Sequence, residues 1–577
     1  MAGSHGMGRR TFLKAVGAGV AAAAAPRLAP AAGPARRPPN VVLIMTDDQG
    51  YGNLGCQGNR ELRTPCLDRL HGQSVRLTDF HSAPTCAPTR AGLMTGRYCN
   101  RTGVWHTIAG RSLLRRDEVT MADVFAAGGY RTGIFGKWHL GDNFPFRPQD
   151  RGFQEVFVHG GGGVGQTPDY WGNKYFDDTY LRNGRPEKVS GYCTDVWFAA
   201  ALEFIEASKD RPFFAYIPTN AAHGPHRVPE KYAAMYTGRS AAFYGMITNI
   251  DENVGRLMER LDALGLAEGT ILVFLTDNGV SVGWDAGLRG TKSGPYEGGH
   301  RVPCFIRHPA GGLAGGRDVG RLASHVDLLP TLADLCGLAP PKGVRLDGTS
   351  LVPLLSGAAD WPDRALVVDS QRIEHPQQWR NSCVMTDRWR LVNGKELYDI
   401  RADPGQREDV AAAHGAAVAR LRAAYEAWWA DTSKRFDEFC PIVLGSDRED
   451  PSRLTAHDWH APNVPWNQPS ILGGAAVNGF WAVEVERDGQ YDLELRRWPA
   501  EADLAITAAP AGGKAVRATA ARATIGPFDE TKPVGPGAKA VTFRATLKAG
   551  PARLETWLLD GDQAPRGAYY VYVRRRA

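Results

Sequence analysis

The sequence predicts an α/β fold: a mostly parallel sheet flanked by helices, then a smaller α+β subdomain and an extra β-sandwich-like module at the C-terminal end. Four short apolar runs are continuous rather than alternating, which is typical of parallel strands covered on both faces. These runs are residues 41–45, 131–136, 213–217 and 271–275. Apolar residues recur at helical spacing over 244–264, which predicts a helix packed on the sheet. From Trp481 onward the apolar pattern alternates, which predicts antiparallel strands.

Length and composition describe an ordinary globular chain. The protein has 577 residues, enough for about two to four domains of ~150 residues each. Hydrophobic residues make up 43% and charged residues 23%, which excludes a disordered or fibrous chain. The net charge is +6 and falls to about +2 without the first 35 residues, so composition does not require a nucleic acid partner.

Residues 1–35 are predicted to be a tag remnant, Met1–Gly6, followed by a twin-arginine export signal. The pair Arg9-Arg10 precedes the short, weakly apolar run Ala15–Ala25 and a Pro/Ala-rich stretch. A transmembrane anchor is the alternative, but the eleven residues of that run are too few to cross ~30 Å of hydrocarbon. We therefore expect a bacterial protein that the twin-arginine machinery delivers to the periplasm or beyond, with no stable membrane span.

The first predicted domain, residues 38–364, contains the four apolar runs, and acidic side chains follow two of them. Asp47 and Asp48 come directly after the first run, and Asp277 and Asn278 come after the last. Open α/β sheets bind their ligands beyond the carboxyl ends of the strands. Hard oxygen donors suit Ca²⁺ or Mg²⁺ rather than zinc. One such pair is more often a helix cap or a turn, but two pairs at matching strand ends favour a metal site.

Basic side chains and histidines accompany these acids. Lys137 and His139 follow the second apolar run, and His223 follows the third. Lys137, Arg90 and Lys292 could surround a tetrahedral anion, and the two histidines could move protons near neutral pH. Taken singly, each residue is better explained as a solvated surface cation or a core histidine; only their combination favours a site.

The central motif is C-x-P-x-R at Cys86–Arg90. Pro88 suits a first helical turn, and residues 91–98 can continue the helix. Cys86 would then lie at a helix N-terminus, where exposed N–H groups and the dipole favour an anion. A buried structural cysteine is the alternative. The nine cysteines lack zinc-type spacing and their disulfide pairing cannot be read from the sequence; the odd number leaves one over, for which Cys86 is the candidate.

Three further regions follow the first domain. Residues 365–440 are predicted to be a smaller C-terminal subdomain, residues 441–475 a proline-rich linker, and residues 476–577 a β-rich module. In the smaller subdomain, strands are predicted at 365–368, 389–392 and 397–399, and a helix at 411–430.

With these motifs in place, the chain resembles the type I, formylglycine-dependent sulfatases of the alkaline-phosphatase-like superfamily. The resemblance extends from about Pro39 to Ala411, and its motifs occur in the family's order. The matching stretches are 40–50, 86–98, 133–141, 222–225, 276–279 and 288–303. The resemblance implies the family's fold and the hydrolysis of sulfate monoesters.

The resemblance also implies a cofactor set. Cys86 matches the residue that a formylglycine-generating enzyme oxidises to 3-oxoalanine, and Thr89 replaces the commoner serine of the motif. The family's Ca²⁺ ligands match Asp47, Asp48, Asp277 and Asn278, with the modified Cys86 completing the shell and Mg²⁺ as the alternative ion. One hydroxyl of the aldehyde hydrate would attack sulfur, and the other would later expel sulfate.

Five more residues receive roles from the resemblance. Arg90 matches the residue that steadies the aldehyde hydrate, and Lys137 and Lys292 match sulfate-binding lysines. His139 matches the histidine that assists sulfate release, and His223 the one near the leaving oxygen. Such cations would oppose the negative charge that grows on the sulfuryl oxygens in the transition state.

The sequence leaves the substrate open. A sulfated sugar, small or oligomeric, is expected because the protein carries an export signal and because four aromatic residues could stack on sugar rings. These residues are Trp105, His106, Tyr170 and Trp171. Aryl sulfates should also be cleaved. A phosphonate monoester hydrolase or phosphodiesterase of the same superfamily is the alternative, and a non-catalytic glycan-binding protein acting through the β-rich module is a third hypothesis.

Overall fold

A computed structural model of the protein describes residues 37–358, 360–561 and 566–576. The predicted tag remnant and export signal, residues 1–35, lie outside the described residues. Ten strands form one large sheet. They are β1 Asn40–Thr46, β2 Val75–Leu77, β3 Arg131–Lys137, β4 Glu155–His159, β5 Thr179–Arg182, β6 Arg185–Lys188, β7 Phe213–Pro218, β8 Thr270–Thr276, β9 Cys304–Arg307 and β10 Arg317–Val319, in the spatial order β10-β2-β9-β8-β1-β7-β3-β4-β5-β6.

The five central strands β8, β1, β7, β3 and β4 run parallel, and antiparallel pairs lie toward both edges, so the sheet is mixed. All seven residues of β1 are buried. Its side chains alternate between two apolar cores, one on each face, because successive residues of a strand point to opposite sides. The predicted two-sided burial of the continuous apolar runs is therefore confirmed. The carboxyl ends of these parallel strands meet along one edge of the sheet.

Helices cover both faces of the sheet. They are α1 Pro65–Gln73, α2 Cys86–Thr95, α3 Cys99–Thr102, α4 Met121–Ala127, α5 Cys193–Glu206, α6 Glu230–Ala233, α7 Ala241–Ala263, α8 Glu297–His300, α9 Leu328–Leu335, α10 Val352–Leu355, α11 Gly415–Thr432 and α12 Gln468–Leu472. One face carries α1, α5 and α7, of which α7 contacts the other two, and the opposite face carries α2, α4 and α9. Phe80–His81 and Ala323–Ser324 form a separate two-stranded sheet.

The smaller subdomain is a four-stranded antiparallel sheet with α11 packed against it. Its strands are β11 Leu366–Asp369, β12 Ser382–Met385, β13 Trp389–Val392 and β14 Glu396–Asp399. Three of these strands and the helix lie where the sequence predicts them, and β12 was missed. The predicted helix starts later, at Gly415, because Ala411–Ala413 form a separate 3₁₀ turn.

The C-terminal module consists of two sheets, as the alternating pattern predicts. The strands are β15 Ile442–Leu444, β16 Ser452–Thr455, β17 Phe480–Val485, β18 Gly489–Arg496, β19 Ala520–Ile525, β20 Phe528–Pro533, β21 Val541–Leu547, β22 Gly550–Leu559 and β23 Tyr570–Arg575. One sheet has the order β15-β17-β22-β19-β20, and the other has the order β16-β23-β18-β21.

The linker expected at 441–475 is not a linker along its whole length. Within that stretch β15 pairs with β17 and β16 pairs with β23, so both sheets of the module begin there. The core between the sheets includes Trp459 and Ile471 from the same stretch. The stretch is therefore part of the module rather than a flexible connection, and one of its prolines, Pro469, lies in the first turn of α12.

All nine cysteines are free thiols in the structure. Among the described residues, no helix has both the length and the apolar character needed to cross a membrane.

Candidate active site

Four polar residues come together where β1 and β8 end. Thr46 and Thr276 are register partners in the parallel pair, so the residues that follow them leave the sheet side by side. The Asp277 N–H donates to the Thr46 carbonyl at 3.0 Å, and the Asp48 N–H donates to Asp277 Oδ1 at 3.1 Å. Asn278 Nδ2 donates to Asp48 Oδ1 at 2.9 Å. The predicted acidic cluster therefore exists, and backbone hydrogen bonds fix it.

Cys86 is the first residue of α2 and is 3% exposed. The predicted helix N-terminus is therefore confirmed. The Thr85 side chain does not cap this helix, so the side chain preceding Cys86 leaves the first-turn N–H groups uncovered. The Cys86 sulfur and one carboxylate oxygen each from Asp47 and Asp277 lie within 4.8 Å of one another. The cysteine, the helix end and two buried carboxylates thus share one small volume.

The donor set fits a hard dication. Asp47 Oδ1 and Asn278 Oδ1 are buried oxygens for which the described residues supply no hydrogen-bond partner. Buried oxygens without partners are costly, and an ion can satisfy them. Burial and the neighbouring charge of Asp47 raise the pKa of Asp277, which a cation between the two carboxylates would reverse. Carboxylate and amide oxygens are the ligands that Ca²⁺ and Mg²⁺ prefer.

Three cations surround the acids. Arg90 Nη2 lies 2.9 Å from Asp277 Oδ2, Lys137 Nζ lies 2.5 Å from Asp47 Oδ2, and Lys292 Nζ lies 2.5 Å from Asp48 Oδ1. The formal charges of the three carboxylates and the three cations cancel. A bound dication would therefore give the site a net positive charge that attracts an anion.

The charges of this cluster shift the pKa values of its members. Burial alone would lower the pKa of Arg90, but the carboxylates of Asp277 and Asp47 raise it. Burial alone would raise the pKa of Asp48, but Lys292 and His223 hold that pKa below its usual range. Asp48 and Arg90 therefore remain charged at neutral pH.

His139 is held as a neutral imidazole with one free nitrogen. Its Nε2 donates to the Thr107 carbonyl at 2.9 Å, so Nδ1 carries the lone pair, and that buried nitrogen has no hydrogen-bond partner among the described residues. Burial and the charge of Lys137 lower the pKa of His139 well below its usual value. Gly162 packs on the ring: a Cβ there would lie 2.2 Å from Cε1. The Nδ1 lone pair is thus available to accept a hydrogen bond.

His223 follows the end of β7 and lies next to Asp48. Its Nδ1 donates to the Gly224 carbonyl at 2.6 Å, and its Nε2 lies 3.8 Å from Asp48 Oδ2. Burial lowers the pKa of His223 to about 4 against the raising effect of Asp48. Its Nε2 therefore faces the site as an unprotonated nitrogen at neutral pH.

Four of the predicted residues open onto one cavity of about 170 Å³. Cys86, His139, His223 and Lys292 line it, whereas the other six predicted residues do not line it. Those six are joined to one another and to Lys292 by the contacts described above; they are Asp47, Asp48, Arg90, Lys137, Asp277 and Asn278. The structure brings together every residue that the sequence analysis proposed for catalysis or metal binding.

Sequence reasoning missed part of the cavity wall. The missed lining residues with polar or aromatic side chains are Thr107, Gln166, Arg372 and Trp466. They come from four separate loops and carry no local motif, so only the tertiary structure reveals them.

The four aromatic residues proposed for sugar stacking do not line this cavity. Trp105 is buried and donates from Nε1 to the Ile373 carbonyl. Trp171 packs edge-on against Trp498, with ring centroids 5.3 Å apart. The aromatic residue that borders the site is Trp466, in the stretch that was expected to be a linker.

Comparisons with known proteins agree with this geometry. The model of the family named Sulfatase matches residues 39–338. Human arylsulfatase A is 39% identical over 429 residues, which covers 68% of this chain and 80% of that protein. N-acetylgalactosamine-6-sulfatase of Canis lupus familiaris is 31% identical over 385 residues, covering 61% and 70%. The solved structure of Ps i-CgsB in complex with k-i-k-neocarrahexaose superposes with a TM-score of 0.64 at 27% identity, covering 70% of this chain and 95% of that one.

Proposed function

The chain belongs to the sulfatase family and is a sulfuric ester hydrolase, and on that basis we propose that it is an exported, Ca²⁺- and formylglycine-dependent enzyme acting on sulfated carbohydrates, with aryl sulfates as further substrates. The observation that carries the proposal is the meeting of the Cys86 sulfur with carboxylate oxygens of Asp47 and Asp277 within 4.8 Å.

Asp47, Asp48, Asp277 and Asn278 would hold the Ca²⁺, together with the modified Cys86. When bound, the ion would act as a Lewis acid that opposes charge on the sulfuryl oxygens. The proposal extends to Mg²⁺ as the alternative ion, because both cations take oxygen ligands.

Cys86 would be converted to 3-oxoalanine by a formylglycine-generating enzyme before export. As a hydrate, that aldehyde would supply two hydroxyls on one carbon, the first to attack sulfur and the second to allow sulfate release. A twin-arginine signal suits this sequence of events, because that route carries proteins already folded. Localisation in the periplasm or outside the cell follows from the signal proposed in residues 1–35.

The chain's own residues bind and move protons. Lys292 lines the cavity and, with Lys137, would bind sulfuryl oxygens, while Arg90 would steady the aldehyde hydrate; Arg90 and Lys137 also hold the carboxylates of Asp277 and Asp47 in position. His139 Nδ1 would accept the proton that leaves when sulfate is released. His223 Nε2 would interact with the leaving oxygen of the alcohol.

A carbohydrate substrate is supported by two kinds of observation. Relatives of this chain include a sulfatase named for N-acetylgalactosamine and a structural neighbour solved with a neocarrahexaose. The cavity is also lined by the cations Lys292 and Arg372.

Initial rates on matched 4-nitrophenyl esters test the reaction class. We expect hydrolysis of the sulfate to exceed hydrolysis of the phenylphosphonate, and chelation of Ca²⁺ to remove the sulfatase activity. Faster phosphonate hydrolysis would favour the alternative hydrolase, and glycan binding without turnover, with an unmodified Cys86 thiol, would favour a binding protein. A panel of sulfated mono- and disaccharides then identifies the sugar.

A further inference from the structure

We propose that the C-terminal module completes the substrate cleft: its segment 466–472 forms one wall of a second cavity, next to the catalytic one, that binds an acidic sugar adjoining the sulfated ring. This inference rests on the proposed carbohydrate sulfatase function and names the substrate class of that site. The segment lies outside residues 39–338, the part of the chain that the family model matches.

The second cavity adjoins the first. It has a volume of about 310 Å³, within the ~300–1,000 Å³ typical of small-molecule pockets. Gln166, His223 and Trp466 line both cavities. A ring placed in the second cavity would therefore be continuous with a sulfated ring whose ester reaches Cys86.

The wall contributed by the module is fixed against the first domain. The Thr167 N–H donates to the Trp466 carbonyl at 3.0 Å, and the Gln468 N–H donates to the Gly165 carbonyl at 3.1 Å. The Gln468 side chain is buried, and its Oε1 accepts from the Gly172 N–H at 3.0 Å. These bonds connect both chain segments that face the cavity and hold its two walls together before a ligand binds.

The charges of the residues that line the two cavities favour an anionic ligand. Among the described residues that line the two cavities there is no carboxylate, whereas both contain cations. Lys174 and Arg227 face the second cavity, and within the described chain no carboxylate oxygen lies within 4.0 Å of either charged group. Cations without a counter-ion in a concave site attract anions. A carboxylate or a second sulfate on the neighbouring ring would meet that charge.

Trp466 supplies the surface for the ring itself. Its side chain is 39% exposed, and the only other large hydrophobic residue exposed in the described chain is Trp284, also at 39%. A pyranose presents an apolar C–H face that an indole covers well, while its hydroxyls and acidic group point to polar neighbours. Further apolar lining comes from Val164, Tyr175, Pro225, Pro469 and Leu472.

The test compares substrates that differ only in the second ring. The sulfated monosaccharide that wild type cleaves fastest is compared with two disaccharides, in which the same ring is joined to glucuronic acid or to glucose. For wild type we expect kcat/KM to be highest with glucuronic acid. Trp466→Ala should reduce kcat/KM for both disaccharides relative to the monosaccharide about tenfold, mainly through KM.

Arg227→Gln addresses the charge separately. It should reduce the preference for glucuronic acid over glucose about fivefold, and added salt should reduce the same preference in wild type. Trp284→Ala is the matched control, an equally exposed tryptophan that lines neither cavity, and it should leave both ratios unchanged. Trp466→Phe retains an aromatic ring and provides the comparison if Trp466→Ala does not fold.

Separate outcomes distinguish the two levels of the proposal. If wild type hydrolyses sulfated sugars but neither Trp466 nor Arg227 variants change the ratios, the second cavity is not a sugar site and the proposed function stands. If wild type hydrolyses aryl sulfates but no sulfated sugar, the carbohydrate assignment and the subsite both fail.

Discussion

Replacing Arg90 with methionine should destabilise the protein much more without Ca²⁺ than with it. Arg90 is fully buried, donates to Asp277 Oδ2 and to the Lys137 carbonyl at 2.9 Å each, and lies 4.0 Å from Asp47 Oδ2. Methionine fills a similar volume without the charge, so Asp277 and Asp47 would be left with a single close cation, Lys137. Removing one partner of a buried ion pair costs about 3–5 kcal/mol.

Bound Ca²⁺ should offset most of that loss, because a dication between the carboxylates neutralises them directly. The assay is unfolding by denaturant, followed by intrinsic fluorescence, in chelator and in saturating Ca²⁺. The expected loss in the free energy of unfolding is about 3–5 kcal/mol in chelator and clearly smaller in Ca²⁺. Arg260→Met is the control, since its pair with Glu206 is on the surface, with both side chains 43% exposed, and should contribute little to stability in either condition.

An equal loss in both conditions would refute the reasoning, because it would mean that the carboxylates around Arg90 do not bind the ion. A loss as small as that of Arg260→Met in chelator would show that Arg90 does not stabilise a buried negative charge in the folded protein.

Further predictions concern the site and its pH dependence. Cys86→Ala should fold with the thermal stability of wild type and lose turnover on 4-nitrophenyl sulfate; full activity would refute the role of Cys86. Asp277→Asn should lower kcat and raise the Ca²⁺ concentration needed for half activity, whereas an unchanged metal requirement would count against this ligand. Gly162→Ala should lower kcat at least tenfold with a folded protein, because the new Cβ would collide with the His139 ring, so wild-type kcat would contradict the packing. Burial keeps His139 neutral in the folded state, so its lowered pKa contributes stability that is present above pH ~6.5 and lost as pH falls. The denaturant midpoint of wild type relative to His139→Gln should therefore fall from pH 7 to pH 5, and a constant difference would contradict this.

The central part of the site was predictable because the chemistry follows strand ends. A continuous apolar run identifies β1 and β8, and parallel pairing then dictates that Asp47 and Asp277 emerge together. Cys86 was similarly placed by the helix-starting proline that follows it. In these cases a local pattern and a general rule of sheet topology suffice.

The rest of the cleft depends on contacts between residues far apart in the sequence. Gln166, Arg372 and Trp466 come from different loops, and nothing in their local sequences indicates that they meet. The stretch 441–475 was misjudged because β15 and β16 are only three and four residues long, too short for an alternating pattern to appear between prolines. Trp105 and Trp171 were proposed as sugar contacts from residue type alone, which cannot distinguish a core aromatic from an exposed one.

The most direct test of the proposed formylglycine at position 86 is the mass of the tryptic peptide Leu77–Arg90 from enzyme purified with full sulfatase activity. We expect the peptide to carry an aldehyde or its hydrate at position 86, in an amount proportional to the specific activity of each preparation. A fully active enzyme whose peptide carries only the unmodified thiol would contradict it.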